Sequence, residues 1–458
     1  YEDSTLFAGY PAKRCWYPFS GNVYQEILPS AAAGYPYTID ALFLHKGSPG
    51  YAAPGANKQL EVLKDVEKIP LLLASDIVIG ESSMYADYLF PDTAIWERWG
   101  TPHITPDVVT AVSKVRQPMV QAMTEEVKVY GVKQPLGMEA VLLAIAEKLN
   151  LPNHGKDGFG KGQPLERADD WFIRMVANLA QGDKPGTQVP AAKAEEQAIF
   201  KKARRHLSGY AYDPERWRKI LGDDMFLRVI TVLNRGGRFE DAEHAYKGDK
   251  VHHQFKNQFN LYAEKVALAK HPGTGKRFSG LALAEPIRDF HGNEVKDAGY
   301  DLNLITYKDI VGGQSRTIGN YWAQGRELQE NYILMNSRDA KKLGLKDGAE
   351  AKILSASNAN GMWNVGFGQD RPVAGKVKVV EGIRPGVVAV SWHNGHWAYG
   401  AGNVKVDGKV VKGDKRRGKG LCPNAAMRID PALGDMCLTD PIGASSSFFD
   451  TKVKVVPA

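Results

Sequence analysis

The hydrophobic period of the chain changes along its length. Asp40-Ala-Leu-Phe-Leu-His45 and Pro70-Leu-Leu-Leu-Ala74 are short continuous apolar runs, the pattern of buried strands. Between them, Leu60, Leu63 and Val66 sit at helical spacing within residues 58–68. Met84-Tyr-Ala-Asp-Tyr-Leu-Phe90 then leads to Pro91-Asp92. Strand, helix and strand with a polar turn after each strand predict a parallel βαβ unit. Ligands in such sheets lie beyond the carboxyl ends of the strands, which places Gly47, Ser48, Ser75 and Asp76 on one rim. An amphipathic helix is predicted over 138–149, stopped by Asn150 and Pro152. Helical segments recur over 167–179 and 191–208, joined by a polar linker over 182–190. Residues 1–30 read as irregular, and 222–300 as short apolar pieces between Gly-rich turns. From about residue 301 the period falls to two, with strands predicted over 302–307, 349–355, 375–380, 387–391 and 451–456. One helix stands among them at 337–343, capped by Ser337 or Asn336 and ended by Gly344. Short strands with Gly/Asp turns predict a β-barrel.

Composition adds limits. The 458 residues are 43% hydrophobic and 24% charged, which excludes a disordered, fibrous or coiled-coil chain. A net charge of +7 is mild; it permits an anionic ligand and gives no argument for nucleic acid. The three cysteines, Cys15, Cys422 and Cys437, form no CxxC pair, so the chain alone builds neither an iron–sulfur cluster nor a four-cysteine zinc site. No apolar stretch approaches the roughly 18 residues of a membrane-spanning helix.

Two signatures then stand in order. The first is Ser75-Asp-Ile-Val-Ile-Gly-Glu-Ser-Ser-Met-Tyr-Ala-Asp-Tyr-Leu-Phe-Pro-Asp-Thr-Ala-Ile-Trp-Glu-Arg98. The second joins Asn336-Ser-Arg-Asp-Ala-Lys-Lys-Leu-Gly-Leu-Lys-Asp-Gly348 to Gly395-His-Trp397, Asn424 and Asp430-Pro431. Together they resemble the molybdopterin oxidoreductases of the dimethyl sulfoxide reductase superfamily. The resemblance implies the second half of a Rossmann-like α/β domain (1–160), a helical and irregular connection (161–300) and a C-terminal dinucleotide-binding β-barrel of double-psi type (301–458). Ala86-Asp-Tyr-Leu-Phe-Pro91, Ser113-Lys-Val-Arg-Gln-Pro118, Arg235-Gly-Gly-Arg-Phe239, Ser315-Arg-Thr-Ile-Gly-Asn-Tyr321 and Gly395-His-Trp-Ala-Tyr-Gly400 are most similar to tetrathionate reductase catalytic subunits, with arsenate and thiosulfate/polysulfide reductases close by.

What the resemblance implies is an enzyme that reduces tetrathionate to thiosulfate in anaerobic respiration. It would carry two molybdopterin guanine dinucleotides and molybdenum or tungsten. It also implies an N-terminal half with a 4Fe–4S cluster and the metal-ligand loop, and periplasmic export by a twin-arginine signal. Two partners are implied with it, an iron–sulfur subunit plus a membrane quinol-oxidising subunit. The alternative is a binding module that holds the dinucleotide without turnover.

Each candidate residue has a chemical reading. Asp76, beside Ser75, can accept from the guanine N1–H and N2–H₂ edge; the competing reading of the pair is a helix N-cap. Glu81 belongs to the same motif, and Arg98 or Lys46 can meet phosphate or ribose. Gly312-Gly-Gln314-Ser315-Arg316-Thr317 can approach a pyrophosphate closely or be a solvated turn, and Thr306 and Lys308 just before it resemble phosphate-holding positions. His393 and His396 allow metal ligation, pterin contact together with Trp397, or plain packing. Asn424 can pair with an amide-like pterin edge or be a turn residue. The metal ligand is expected outside the chain; His396 and Arg316 are the weak catalytic candidates within it. His252-His253, Lys201-Lys-Ala-Arg-Arg205 and Lys415-Arg-Arg417 read as solvated surface.

Overall fold

The computed structural model describes residues 2–20, 23–101, 110–183, 186–252, 260–309, 322 and 330–458. The chain divides into two compact units. The first joins Tyr1–Ala74 and Val78–Leu89 to Asn260–Ala458; the second joins Ser75–Ile77 to Phe90–Phe259. The expected boundary at 160 falls inside the second unit and that at 300 inside the first.

Near the N-terminus three strands form one sheet in the order β1 (Leu42–His45), β2 (Leu72–Asp76), β3 (Tyr88–Pro91). The helix Ala56–Leu63 lies in sequence between the first two and buries Ala56, Gln59, Leu60 and Leu63, a face set by helical spacing.

A closed barrel follows, built from β4 (Leu302–Tyr307), β5 (Ile333–Met335), β6 (Glu350–Ser355), β7 (Ala374–Val379), β8 (Val387–Ser391) and β9 (Thr451–Pro457). Its order around the ring is β4-β8-β5-β7-β6-β9. β4 pairs parallel to β8 and β5 parallel to β7, whereas the remaining contacts are antiparallel. Inward residues Leu304, Ile333, Met335, Ile353, Val377, Val388 and Val453 fill the barrel. β5 went unpredicted, because three residues are too few to show alternation. Asn336 caps the following helix Ser337–Leu343 by accepting from the Arg338 amide at 3.0 Å, and Gly344 ends it at φ 69°.

The second unit is largely helical. Ala168–Gln181, Ala194–Arg204, Pro214–Leu221 and Asp223–Arg235 bury Ile173, Phe200, Trp217 and Val229 around Trp99. The helix Asp223–Arg235 corrects the reading of 222–235 as short apolar pieces. Phe226, Val229, Ile230 and Leu233 do recur at helical spacing and are buried, but the run is bounded by Gly222 and Gly236, which read as turn punctuation. Two of the quoted motifs meet here: Val112–Lys114 pairs with Gly237–Phe239, Ser113 opposite Arg238.

Candidate functional site

Because β4 and β8 are parallel neighbours, with Thr306 opposite Val390 and Tyr307 opposite Ser391, their carboxyl ends deliver Lys308 and the segment 392–397 side by side. Lys308 Nζ lies 5.7 Å over the Trp392 ring. Thr306 is buried, and among the described residues its Oγ1 has no hydrogen-bond partner. The chain then turns through His393 at φ 70° and Gly395 at φ 72°. A Cβ on Gly395 would stand 2.8 Å from the Cys422 backbone nitrogen, so a glycine is required for 392–397 to lie against 421–424. Asn331 staples the two segments: its Nδ2 donates to Ser391 O at 2.6 Å and Leu421 O at 2.8 Å, and its Oδ1 accepts from the Leu421 amide at 2.8 Å.

His396 sits on this loop and is buried. Its Nδ1 lies 2.8 Å from Glu81 Oε1, which also accepts from the Ala398 amide at 3.1 Å. Burial pushes the Glu81 carboxyl up, but the charge and hydrogen bond of His396 and the amides of Glu81 and Ala398 outweigh it and hold the group below its ordinary value. An ionised carboxylate only accepts, so Nδ1 carries the hydrogen. Tyr51 stacks on His396 with ring centroids 4.5 Å apart, and its hydroxyl donates to Asn394 O at 2.8 Å. The Tyr51 carbonyl accepts from Asn424 Nδ2 at 2.7 Å. Trp397 meets the Tyr51 ring edge-on at 5.9 Å. Glu81, His396, Trp397 and Asn424 are thus brought into one cluster around Tyr51, a residue that sequence reasoning missed because an isolated tyrosine after Gly47-Ser48 carries no motif. Burial also pushes the neighbouring Cys422 thiol up to about 12, which leaves it an inert packing group. Ser48 approaches Ser82, Oγ to Oγ, at 3.4 Å, and Ser82 Oγ accepts from the Gly50 amide at 2.9 Å. A Cβ on Gly47 would make only ordinary contact, 3.7 Å from Tyr24 Oη.

Ser75, Asp76 and Arg98 belong to the second unit. Ser75 Oγ donates to Asp92 Oδ2 at 3.0 Å, and Asp76 Oδ1 accepts from the Ile77 amide at 2.8 Å. No helix starts after Asp76, so the N-cap reading fails; the next helical turn, Ser83–Tyr85, follows Ser82. Asp92, also missed, receives the Ser75 hydroxyl and sends its amide to Asp76 O at 3.0 Å. Arg98 Nη2 donates to Glu139 Oε1 at 3.3 Å. Gln314, Ser315, Arg316 and Thr317 lie outside the described residues. Cys15 is buried, which pushes its thiol up. In the short turn Lys415–Gly418, Arg416 pairs with Asp414 at 2.8 Å.

The donor set fits a polar heteroaromatic nucleotide. Asn424 uses Nδ2 on Tyr51, while among the described residues its buried Oδ1 accepts nothing and Thr306 Oγ1 is equally orphaned. A buried polar group left unpaired costs about 1–3 kcal/mol, so both atoms are poised for a ligand that supplies partners.

The comparisons with known proteins agree. Residues 302–425 match the Molydopterin dinucleotide binding domain. A selenate reductase subunit of Mesobacillus selenatarsenatis is 47% identical over 455 residues, 99% of this chain and 43% of that protein. A tetrathionate reductase subunit of Salmonella typhimurium is 30% identical over 92% of this chain and 40% of that protein. The arsenate respiratory reductase molybdopterin-containing subunit of a Shewanella species is 33% identical over 80% of this chain and 40% of that protein. The chain therefore spans less than half the length of these curated relatives. The motifs had pointed to the tetrathionate reductases first, but the selenate reductase subunit shares more of the chain's sequence than they do. The chain belongs to the molybdopterin oxidoreductases of the dimethyl sulfoxide reductase superfamily, with residues 302–425 as its dinucleotide-binding domain.

Proposed function

We propose that this chain is the cofactor-clasping part of the catalytic subunit of an oxyanion reductase, and that selenate is its first substrate, with tetrathionate and arsenate behind it. The observation that carries the order is the 47% identity over 99% of the chain to a selenate reductase subunit, against 30% to a tetrathionate reductase. The group implied is a pair of molybdopterin guanine dinucleotides holding molybdenum, with an iron–sulfur cluster elsewhere in the protein. Bound, such a cofactor would supply two-electron reduction, removing an oxygen atom from selenate or arsenate or cleaving the central S–S bond of tetrathionate. The chain's own residues bind and orient it. Asn424 Oδ1 and Thr306 Oγ1 offer polar atoms left unpaired among the described residues, and Lys308 the cation at the end of β4. Asn331 and Gly395 hold the loops that carry Asn424 and His396 in register. The same reading includes two partners on the periplasmic side, an electron-delivering iron–sulfur subunit plus a membrane quinol-oxidising subunit.

The test is a substrate series on the full-length, cofactor-loaded subunit with a reduced viologen donor. Selenate should give a kcat/KM at least about tenfold above tetrathionate and arsenate. A larger value for tetrathionate would restore the order that the motifs suggested. Bound pterin with no turnover of any oxyanion would favour the non-catalytic module.

A further inference from the structure

The hairpin Met362–Asn364 with Asp370–Pro372 sets Trp363 directly opposite Arg371. Opposed residues of an antiparallel pair project from the same face. Trp363 is 3% exposed, and among the described residues its indole nitrogen is a buried donor without an acceptor. Its ring lies near-parallel to Tyr51 at 6.3 Å and edge-on to Trp397 at 5.0 Å. Arg371 is half-buried, and among the described residues no hydrogen bond or ion pair reaches its guanidinium. Desolvation lowers its pKa, and the charge it senses is the Glu81 carboxylate. Glu81 is already engaged by His396 and the Ala398 amide. Elsewhere on the hairpin the contacts are satisfied: Lys64 Nζ donates to Asn364 O at 3.1 Å and to its Oδ1 at 2.9 Å, and the Tyr85 hydroxyl donates to Val365 O. The hairpin is tied at Asn364 and Val365, while among the described residues Trp363 Nε1 and the Arg371 guanidinium have no acceptor.

A half-buried guanidinium that is partly desolvated and, among the described residues, has no ion pair of its own favours an anion that can reach its solvent-open edge. The partner that suits a guanidinium fork plus one indole N–H is a tetrahedral oxyanion, which takes two parallel N–H bonds on one edge and a third on another oxygen. We propose that Trp363 and Arg371 form an anion site for such a group, filled either by a phosphate of the dinucleotide or by the oxyanion substrate. Only the identity of the occupant rests on the functional reading above; the site itself does not.

Inorganic phosphate and selenate are titrated calorimetrically into the full-length subunit, cofactor-free and cofactor-loaded. The cofactor-free wild type should bind them, and Arg371→Gln and Trp363→Phe should each weaken binding at least tenfold. Arg371→Lys should recover part of the loss. Melting temperature should not fall in Arg371→Gln, since the guanidinium holds no protein group. If loading abolishes probe binding and Arg371→Gln releases less GMP on acid hydrolysis, the occupant is a dinucleotide phosphate. If the loaded protein still binds selenate and Arg371→Gln raises its KM at unchanged GMP content, the occupant is the substrate. Wild-type affinity in both variants, no binding by the wild type, or a lowered melting temperature with affinity unchanged would each overturn the site. Absence of pterin and of reductase activity with phosphate binding intact would sink the functional reading and leave this site standing.

Discussion

Glu81 shows how a residue's neighbours set its role. The sequence placed it in a cofactor motif; the structure gives its carboxylate to His396 and to the Ala398 amide, with both side chains about 2% exposed. Weakening the acceptor of two buried hydrogen bonds typically costs about 1–3 kcal/mol, so Glu81→Gln should melt below the wild type at neutral pH. The folded carboxyl titrates below its unfolded counterpart. Its contribution is therefore full above the unfolded value of about 4.3 and is lost as pH falls through the lower, folded one. Melts recorded from pH 7 to pH 3 should show the gap between wild type and Glu81→Gln closing on the acid side. A gap that stays constant would remove the ionised Glu81 carboxylate from the account. Asn424 was legible in the sequence as a two-faced amide. That one face is spent on Tyr51 and the other left open was not, because the tyrosine lies 373 positions away.

At the level of elements, strands with clear alternation were legible to within a residue or two: β4, β8 and β9 begin where the period of two begins. β5 and the helix Asp223–Arg235 were not, one being too short for a period and the other being framed by glycines that resembled turns. The loop after β8 depends on close backbone approach. Gly395→Ala would need a left-handed alanine, costing roughly 1–2 kcal/mol, and would press a methyl to within 2.8 Å of backbone atoms of Leu421 and Cys422. Main chain cannot yield as a flexible side chain does. The variant should lose at least about 2 kcal/mol and should retain less pterin, read by melting and by fluorescence of the oxidised pterin. Wild-type pterin content with wild-type stability would mean the loop relaxes elsewhere.

On the scale of the whole molecule, binding energy and stability are linked. A ligand held a thousandfold above its Kd adds about 4 kcal/mol to the folded state. Cofactor-free protein should therefore melt lower than loaded protein, and the difference should shrink in Thr306→Val and Asn424→Ala, which remove the two orphaned atoms. An unchanged difference in both variants would place the cofactor's polar contacts on other residues. The sequence by itself determined the α/β start, the barrel at the end and the family, because alternation, helical spacing and two long motifs are local properties that each segment carries alone. Only the tertiary structure decided that residues 1–74, 78–89 and 260–458 form one unit, that Tyr51 gathers Glu81, His396 and Asn424, and that Trp363 and Arg371 share a face left unsatisfied among the described residues. Those are pairings between distant positions, and a hydrogen bond's partner, or the want of one, exists only once the chain has closed on itself.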